Sequence, residues 1–453
     1  MRIHLIATGG AVMHNLAIAL HLKGYQVTGS DDEIFEPAKT RLAKYGLLPE
    51  KWGWYPENIR DDIGVVILGM HAHKDNPELR HAIELGLKVF SFPEYLYEQS
   101  KAKKRVVIGG SHGKTTITSI IMHALKYNGI DFDYMVGSQL EGFDTMVKIT
   151  SEAPIAIFEG DEYLSSPIDP RPKFHLYKPH IALLSGIAWD HINVFPTFEN
   201  YTGQFTQFIN LIEKNGTLIY FDSDPVLGRI IKETRADIRL VPYSSLPGIT
   251  KSGITYLVFE GKYYPLQVFG EHNLQNIGGG MLVCRELGLT DEQFFTSIIS
   301  FRGAAKRLQL VGSNENTNIY IDFAHSPSKL KATIKAVKEQ FPGRSLVACM
   351  ELHTYSSLNS EFLTEYYGTM MPADHAIIYF NPDTFGHKRL QPFTPEDVTT
   401  AFGGNNISVL SDPEKLATEL LSYNWSEKNL LMMSSGNFSG IDLTEISKRI
   451  LNM

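Results

Sequence analysis

The sequence predicts three consecutive α/β units, at residues 1–102, 103–300 and 301–453. Three observations carry this. Val106-Val107-Ile108 runs into Gly109-Gly110-Ser111-His112-Gly113-Lys114-Thr115-Thr116 and then a helical pattern over 117–125. Strand, glycine loop, Lys-Thr and helix form the layout of a phosphate-binding loop. Residues 1–102 alternate short apolar runs with helical patterns, and residues 301–453 do so again, as doubly wound parallel sheets require.

The first unit reads as strands at 3–7, 25–29, 65–69 and 88–91, with a helix at 13–22. Its first turn, Ala7-Thr8-Gly9-Gly10-Ala11-Val12-Met13, is glycine-rich but lacks the full G-x-G-x-x-G. An ordinary strand-to-helix turn explains it as well as a nucleotide site does. Asp31 ends the second strand, where dinucleotide sites place a ribose-binding acid. Lys101, Lys103, Lys104 and Arg105 form the densest basic run and read as a solvated linker.

The second unit continues with strands at 155–159, 181–185, 217–220 and 239–241, and antiparallel hairpins within 253–269. A helix at 273–287 contains Gly278-Gly279-Gly280. Triple glycine is costly in a helix, so close packing or a break is expected there. The third unit reads as strands at 319–322, 345–350, 376–379 and 430–433, with helices at 328–340 and 413–423.

Hydrophobic content of 43% and charged content of 20% fit a globular chain. A net charge of −8 implies no broad basic surface for nucleic acid. No apolar run approaches the ~18 residues of a membrane span. The two cysteines, Cys284 and Cys349, make neither a disulfide framework nor a zinc cluster, and fit a reducing compartment. No export signal is read at the start of the chain. The expected setting is cytoplasmic, with small molecules as partners and neither nucleic acid nor membrane.

The loop supplies the first chemistry. Its backbone N–H groups close on phosphate oxygens at a helix N-terminus. Lys114 reaches the outer phosphates, and the Thr115 hydroxyl ligates Mg²⁺. Glu159 ends a strand in Phe158-Glu159-Gly160-Asp161-Glu162, and Asp190-His191 follows another. Ligands at the carboxyl ends of neighbouring strands converge on one crevice.

With these residues in place the chain resembles the Mur ligase family, the ATP-dependent amide-forming enzymes of peptidoglycan synthesis. Gly110-Ser111-His112-Gly113-Lys114-Thr115 matches the family's G-[ST]-x-G-K-[ST], and Gly270-Glu271-His272-Asn273-Leu274-Gln275-Asn276 is similar to its G-x-H-N-x-x-N. Phe301-Arg302-Gly303-Ala304-Ala305-Lys306-Arg307 resembles F-x-G-x-x-x-R, and Asp322-Phe323-Ala324-His325-Ser326-Pro327 resembles D-[YF]-A-H-x-P. The resemblance implies a Rossmann-like UDP-binding domain, a central P-loop ATPase-type domain and a C-terminal Rossmann-like domain. ATP and Mg²⁺ are the implied cofactors. Gly110, Ser111, His112, Gly113, Lys114, Thr115 and Thr116 would cradle ATP, with Asn273 at the adenine, Asp322 at the ribose and Arg307 on the phosphates. Thr115, Glu159 and His191 would hold metal, so the implied catalytic set is Lys114, Glu159, His191 and Arg307. Thr8, Gly9, Gly10 and Asp31 would bind UDP-N-acetylmuramate, and His325 would orient the amine or the phosphate.

The implied amine is a free peptide, L-alanyl-γ-D-glutamyl-meso-diaminopimelate, or L-alanine. Ala11-Val12-Met13, the stretch Lys173-Phe174-His175-Leu176-Tyr177-Lys178-Pro179 and Met433-Ser434-Ser435-Gly436-Asn437-Phe438 resemble the peptide-accepting members. Three departures from the family pattern stand out. Ala7 replaces a loop glycine, Gly186 replaces an asparagine five residues before the metal-binding histidine, and residues 351–357 match neither acceptor type. Two other readings compete with a ligase. A P-loop switch would hydrolyse ATP without joining anything, but leaves the first unit's loop and the 322–325 turn unexplained. A Rossmann oxidoreductase would need the glycine fingerprint that the first turn lacks.

Overall fold

The computed structural model describes residues 1–189, 194–404 and 406–452. The chain forms two compact units. One comprises Met1–Ile187, Phe198–Ser244 and Gly279–Ser297; the other comprises Ala188–Thr197, Ser245–Gly278 and Ile298–Met453.

The first unit holds two open parallel sheets. The smaller orders its strands Gln26–Ser30, Arg2–Ile6, Ile63–Leu68 and Val89–Ser91. Order reverses at Arg2–Ile6, which pairs in parallel with both the second and third strands. In such sheets the crevice at the carboxyl ends beside the reversal is the ligand position, and Thr8-Gly9-Gly10 lies there. The larger sheet runs Arg239–Tyr243, Thr217–Phe221, Ile181–Leu184, Lys104–Gly109, Ile155–Glu159, Asp133–Met135 and Val147–Lys148. Only the last pair is antiparallel. Its central strand, Lys104–Gly109, is the one that feeds the glycine loop. The register sets Ile108 beside Glu159 and Gly109 beside Leu184, so both neighbours end level with the loop.

Lys101 and Lys104 of the predicted linker are exposed, but Lys103 and Arg105 are instead part of the core. Lys103 is 7% exposed and pairs with buried Asp133, while also donating to Thr150 O. Arg105 is 2% exposed; it pairs with Glu213 and donates to the carbonyls of Tyr177 and Lys178. Counting charges in sequence cannot reveal that buried partners await two of these four cations.

Within this unit the helix Ala11–Leu22 meets the 139–146 loop through polar contacts. Asn15 Oδ1 accepts from Met146 N at 3.0 Å and from the Arg41 guanidinium at 2.9 Å. Arg41 also donates to Asp144 O at 2.7 Å and Gln139 Oε1 at 3.1 Å.

The second unit carries an antiparallel sheet of Gly248–Lys251, Ile254–Phe259 and Lys262–Leu266, as the alternation at 253–269 predicts. Its main sheet runs Gln309–Ser313, Asn318–Asp322, Lys428–Met433, Ser345–Leu352, His375–Phe380 and Ile407–Leu410. The first strand is antiparallel and the rest parallel. Side chains alternate between two buried faces: Ala348, Met350, Leu431 and Met433 on one, Val347, Cys349, Leu430 and Met432 on the other. Burial on both faces explains why these strands read as continuous apolar runs. Cys284 and Cys349 are both buried and free. No helix among the described residues is long and apolar enough to cross a membrane.

Candidate active site

The glycine loop leaves its strand at Gly110 (φ 117°) and enters the helix Lys114–Tyr127 through Gly113 (φ 73°). L side chains rarely adopt either conformation. A Cβ on Gly110 would also lie 2.8 Å from Ser185 N. The loop is anchored from the neighbouring strand end: Ser111 N donates to Gly186 O at 2.9 Å, and Ser185 Oγ donates to His112 O. Thr116, buried, follows Thr115 in the first helical turn.

Glu159 ends its strand inside this arrangement. Thr115 Oγ1 donates to Glu159 Oε1 at 2.7 Å, and Gly137 N donates to Glu159 Oε2 at 2.7 Å. Lys114 Nζ donates to Gly110 O at 2.7 Å and to Glu162 Oε2 at 2.6 Å. Burial disfavours its ammonium, but Glu162, Asp161 and Glu159 outweigh that and hold its pKa above the ordinary lysine value. Glu162 Oε1 accepts from Tyr201 OH at 3.0 Å, and Tyr201 OH meets Ser111 Oγ at 2.8 Å.

The structure therefore brings 110–116 and Glu159 together as the motif implied. His191 and Asp190 lie outside the described residues. Sequence reasoning missed Gly137, Glu162 and Tyr201 as members of the group. The acid pair Asp161-Glu162 just beyond Glu159 was the one available signal for Glu162.

The departure at Gly186 has a physical account. Gly186 has φ 134°, and a Cβ there would sit 3.2 Å from Asp224 Oδ2. That carboxylate accepts from Ile187 N at 2.8 Å, while its other oxygen accepts from Val226 N and Leu227 N, each at 2.8 Å, to cap the helix Pro225–Lys232.

In the first turn, Ala7 takes φ 64° and Thr8 N donates to Ser30 O at 3.0 Å. Gly9 N donates to Asp31 Oδ2 at 2.7 Å, and Asp32 N to Asp31 Oδ1 at 3.0 Å. Burial pushes the Asp31 carboxyl up to about 6; the bond from Gly9 opposes this and Asp32 adds to it. Gly10 begins the helix Ala11–Leu22 with no side-chain cap, so the first-turn N–H groups are available to an anion.

In the second unit, Arg307, Asp322 and His325 gather at the end of the strand Asn318–Asp322. Asp322 accepts from Leu308 N and Ala324 N, each at 2.6 Å. Burial raises its pKa, against the pull of Arg307 and those bonds. The Arg307 guanidinium lies 4.6 Å from the centre of the Phe323 ring. His325 Nδ1 meets Phe323 O at 2.7 Å. Asn273, 6% exposed, donates to Phe269 O at 2.8 Å. Its neighbour His272 is pushed down to about 4 by burial, so that imidazole is neutral at pH 7.

The comparison with known proteins agrees in order and extent. Residues 2–104 match the Mur ligase family catalytic domain, 108–284 the Mur ligase middle domain and 306–436 the Mur ligase glutamate ligase domain. The UDP-N-acetylmuramate–L-alanine ligase of Aquifex aeolicus is 30% identical over 369 residues, covering 78% of each chain. The chain belongs to the Mur ligase family.

As a Mur ligase it is an ATP-dependent ligase that forms C–N bonds, with the family's three-domain α/β architecture. Solved structures share that fold. A murein peptide ligase from Psychrobacter arcticus superposes with a TM-score of 0.69 at 21% identity, covering 100% of this chain and 99% of that one. The UDP-N-acetylmuramate–alanine ligase of Thermotoga maritima gives 0.72 at 18% identity, covering 100% and 98%. At these identities the likeness is one of fold.

Proposed function

We propose that this Mur ligase joins the lactoyl carboxylate of UDP-N-acetylmuramate to the amine of L-alanyl-γ-D-glutamyl-meso-diaminopimelate. The observation that carries the ligase chemistry is the grouping of Lys114, Thr115, Gly137 and Glu159 at level strand ends. Three domains, 1–102, 103–300 and 301–453, would bind the sugar nucleotide, ATP and the amine respectively.

A carboxylate is a poor electrophile towards an amine. Transfer of the γ-phosphoryl group makes it an acyl phosphate; the amine adds, and phosphate leaves as the amide forms. Lys114 and Arg307 offset the charge spread over the transferring group. Thr8, Gly9 and Gly10 hold the diphosphate against the helix N-terminus, and ionised Asp31 accepts from a ribose hydroxyl. Asn273 meets the adenine, Asp322 the ATP ribose, and His325 orients the amine.

The residues fit Mg²⁺: the Thr115 hydroxyl and the Glu159 carboxylate are adjacent oxygen donors. Among the described residues no three His, Cys, Asp or Glu side chains form a dedicated metal cage, and Mg²⁺ ordinarily relies on one or two carboxylates plus phosphates and water. His191 completes the proposed set. The bound ion supplies Lewis-acid stabilisation of phosphoryl oxygens.

The peptide acceptor rests on the 433–438 segment. Ser434 Oγ and Phe438 N both donate to buried Glu351 at the end of the strand Ser345–Leu352, which fixes that turn at the carboxyl ends of the sheet's two central strands. A second reading, L-alanine as acceptor, is favoured by the name of the Aquifex relative. Phosphate release with UDP-N-acetylmuramate and either amine, with mass analysis of the product, separates the two. Efficient amide formation with the tripeptide and little with L-alanine is expected. Nucleotide hydrolysis without a new amide under any amine sinks the ligase reading.

A further inference from the structure

The nucleotide needs the Lys114 ammonium, yet in this structure a carboxylate already holds it. Lys114 Nζ lies 2.6 Å from Glu162 Oε2, and the two side chains are 15% and 1% exposed. Glu162 is itself held in place. Its other oxygen accepts from Tyr201 OH at 3.0 Å, and Tyr201 is fully buried in the helix Phe198–Asn210. That phenol also meets Ser111 Oγ of the glycine loop at 2.8 Å. A buried carboxylate demands a cation, and here the cation is the one that a triphosphate also demands. Two anions therefore compete for one ammonium.

We propose that Glu162 is a positioning residue that parks Lys114 until a triphosphate draws it away, and that Tyr201 keeps the Glu162 carboxylate in its parking position. The inference rests on the nucleotide reading of the loop. Nucleotide binding then includes the cost of releasing Lys114, and apparent affinity falls by the fraction of molecules whose lysine is free. Glu159 acts on Lys114 only through space, its two oxygens being taken by Thr115 and Gly137.

The test is titration calorimetry on the full chain with ADP and a non-hydrolysable ATP analogue, with and without Mg²⁺. Glu162→Gln keeps the side chain's shape and removes its charge. It is expected to bind both nucleotides about tenfold more tightly than the wild type. Tyr201→Phe is expected to shift affinity the same way by less. The gain from Glu162→Gln should vanish in a Lys114→Met background. Unchanged or weaker binding by Glu162→Gln overturns the proposal, since a metal ligand or a purely structural acid would behave so. A gain that survives Lys114→Met also overturns it, because simple repulsion of phosphate then suffices. Thermal melts establish that each variant is folded. If Glu162→Gln does not fold, Tyr201→Phe decides, and the absence of any gain there counts against the proposal. A wild-type chain that binds no nucleotide overturns the ATP reading itself. A wild type that binds nucleotide with no gain in the variants overturns only the parking role.

Discussion

At the scale of single residues, the site is a contest of charges around Lys114 and Glu159. Lys114→Ala is expected to abolish turnover, because Lys114 is the one lysine or arginine of the loop 109–116 that can carry charge to the outer phosphates. Glu159→Ala should lower phosphate release at least ~100-fold through lost metal-borne stabilisation; near-normal release would remove Glu159 from the proposed set. Gly137→Ala is a subtler probe. The new Cβ would meet Glu159 Oε1 at 2.8 Å and push the carboxylate aside. Turnover is expected to fall ~10- to 100-fold, as small misplacements do, with little change in melting temperature.

Asp31 gives a pH prediction. Its pKa rises from 3.8 to about 6 in the fold. Between those values the native state binds more protons than the unfolded chain, so its contribution to stability is present at low pH and declines as pH rises through the window. If a ribose hydroxyl donates to the ionised form, KM for the sugar nucleotide should climb below pH 6. Asp31→Asn should flatten both profiles. Lys114, Thr115 and Glu159 were legible in the sequence because motif spacing encodes them. Glu162 was not, because its partnership with Lys114 spans 48 residues and depends on register across the sheet.

At the scale of elements, the triple-glycine helix resolves the choice between close packing and a break. It runs unbroken as Glu271–Glu286. A Cβ on Gly280 would lie 2.7 Å from Ile120 Cγ2, on the helix that follows the glycine loop, and one on Gly279 would lie 3.0 Å from Leu183 Cδ1. Gly280→Ala gains up to ~1 kcal/mol of helix propensity but pays ~1–3 kcal/mol for overpacking, so net destabilisation is expected in urea unfolding. Asp224→Ala should cost ~1–2 kcal/mol as a lost cap, and should also free Ile187 N beside the loop.

Some of the strands that sequence reading missed have one of two reasons. Asp133–Met135 and Val147–Lys148 have three and two residues, too few to show a period. Gln309–Ser313 and Ile407–Leu410 are partly exposed edge strands without a strong apolar signal. Lys173 to Pro179 resolves differently again. Phe174 and Tyr177 are fully buried, with Phe174 stacked 4.5 Å from Phe208. Those two side chains of the segment therefore serve core packing.

At the scale of the molecule, repeated strand–helix alternation made the α/β architecture legible. Which stretches pack together was not legible, because Gly279–Ser297 returns to the first unit after an excursion of the chain through the second. With the Thr115 hydroxyl and the Glu159 carboxylate as the loop's oxygen donors, and Mg²⁺ ordinarily completed by substrate phosphates and water, chelation by EDTA should stop phosphate release while leaving the melting temperature unchanged. A fall in melting temperature would instead reveal a structural ion.

The Asn15–Arg41 contacts carry one more consequence. Arg41 and Asn15 lie in the stretch that matches the Mur ligase family catalytic domain, while Gln139, Asp144 and Met146 lie in the one that matches the Mur ligase middle domain. Chimeras that exchange the leading hundred residues between relatives will break this clasp unless the Asn15, Arg41 and Gln139 side chains are kept together, since Asp144 and Met146 contribute only backbone atoms. Substrate retargeting by domain grafting thus has a hidden seam, and matching it should decide whether a hybrid enzyme works.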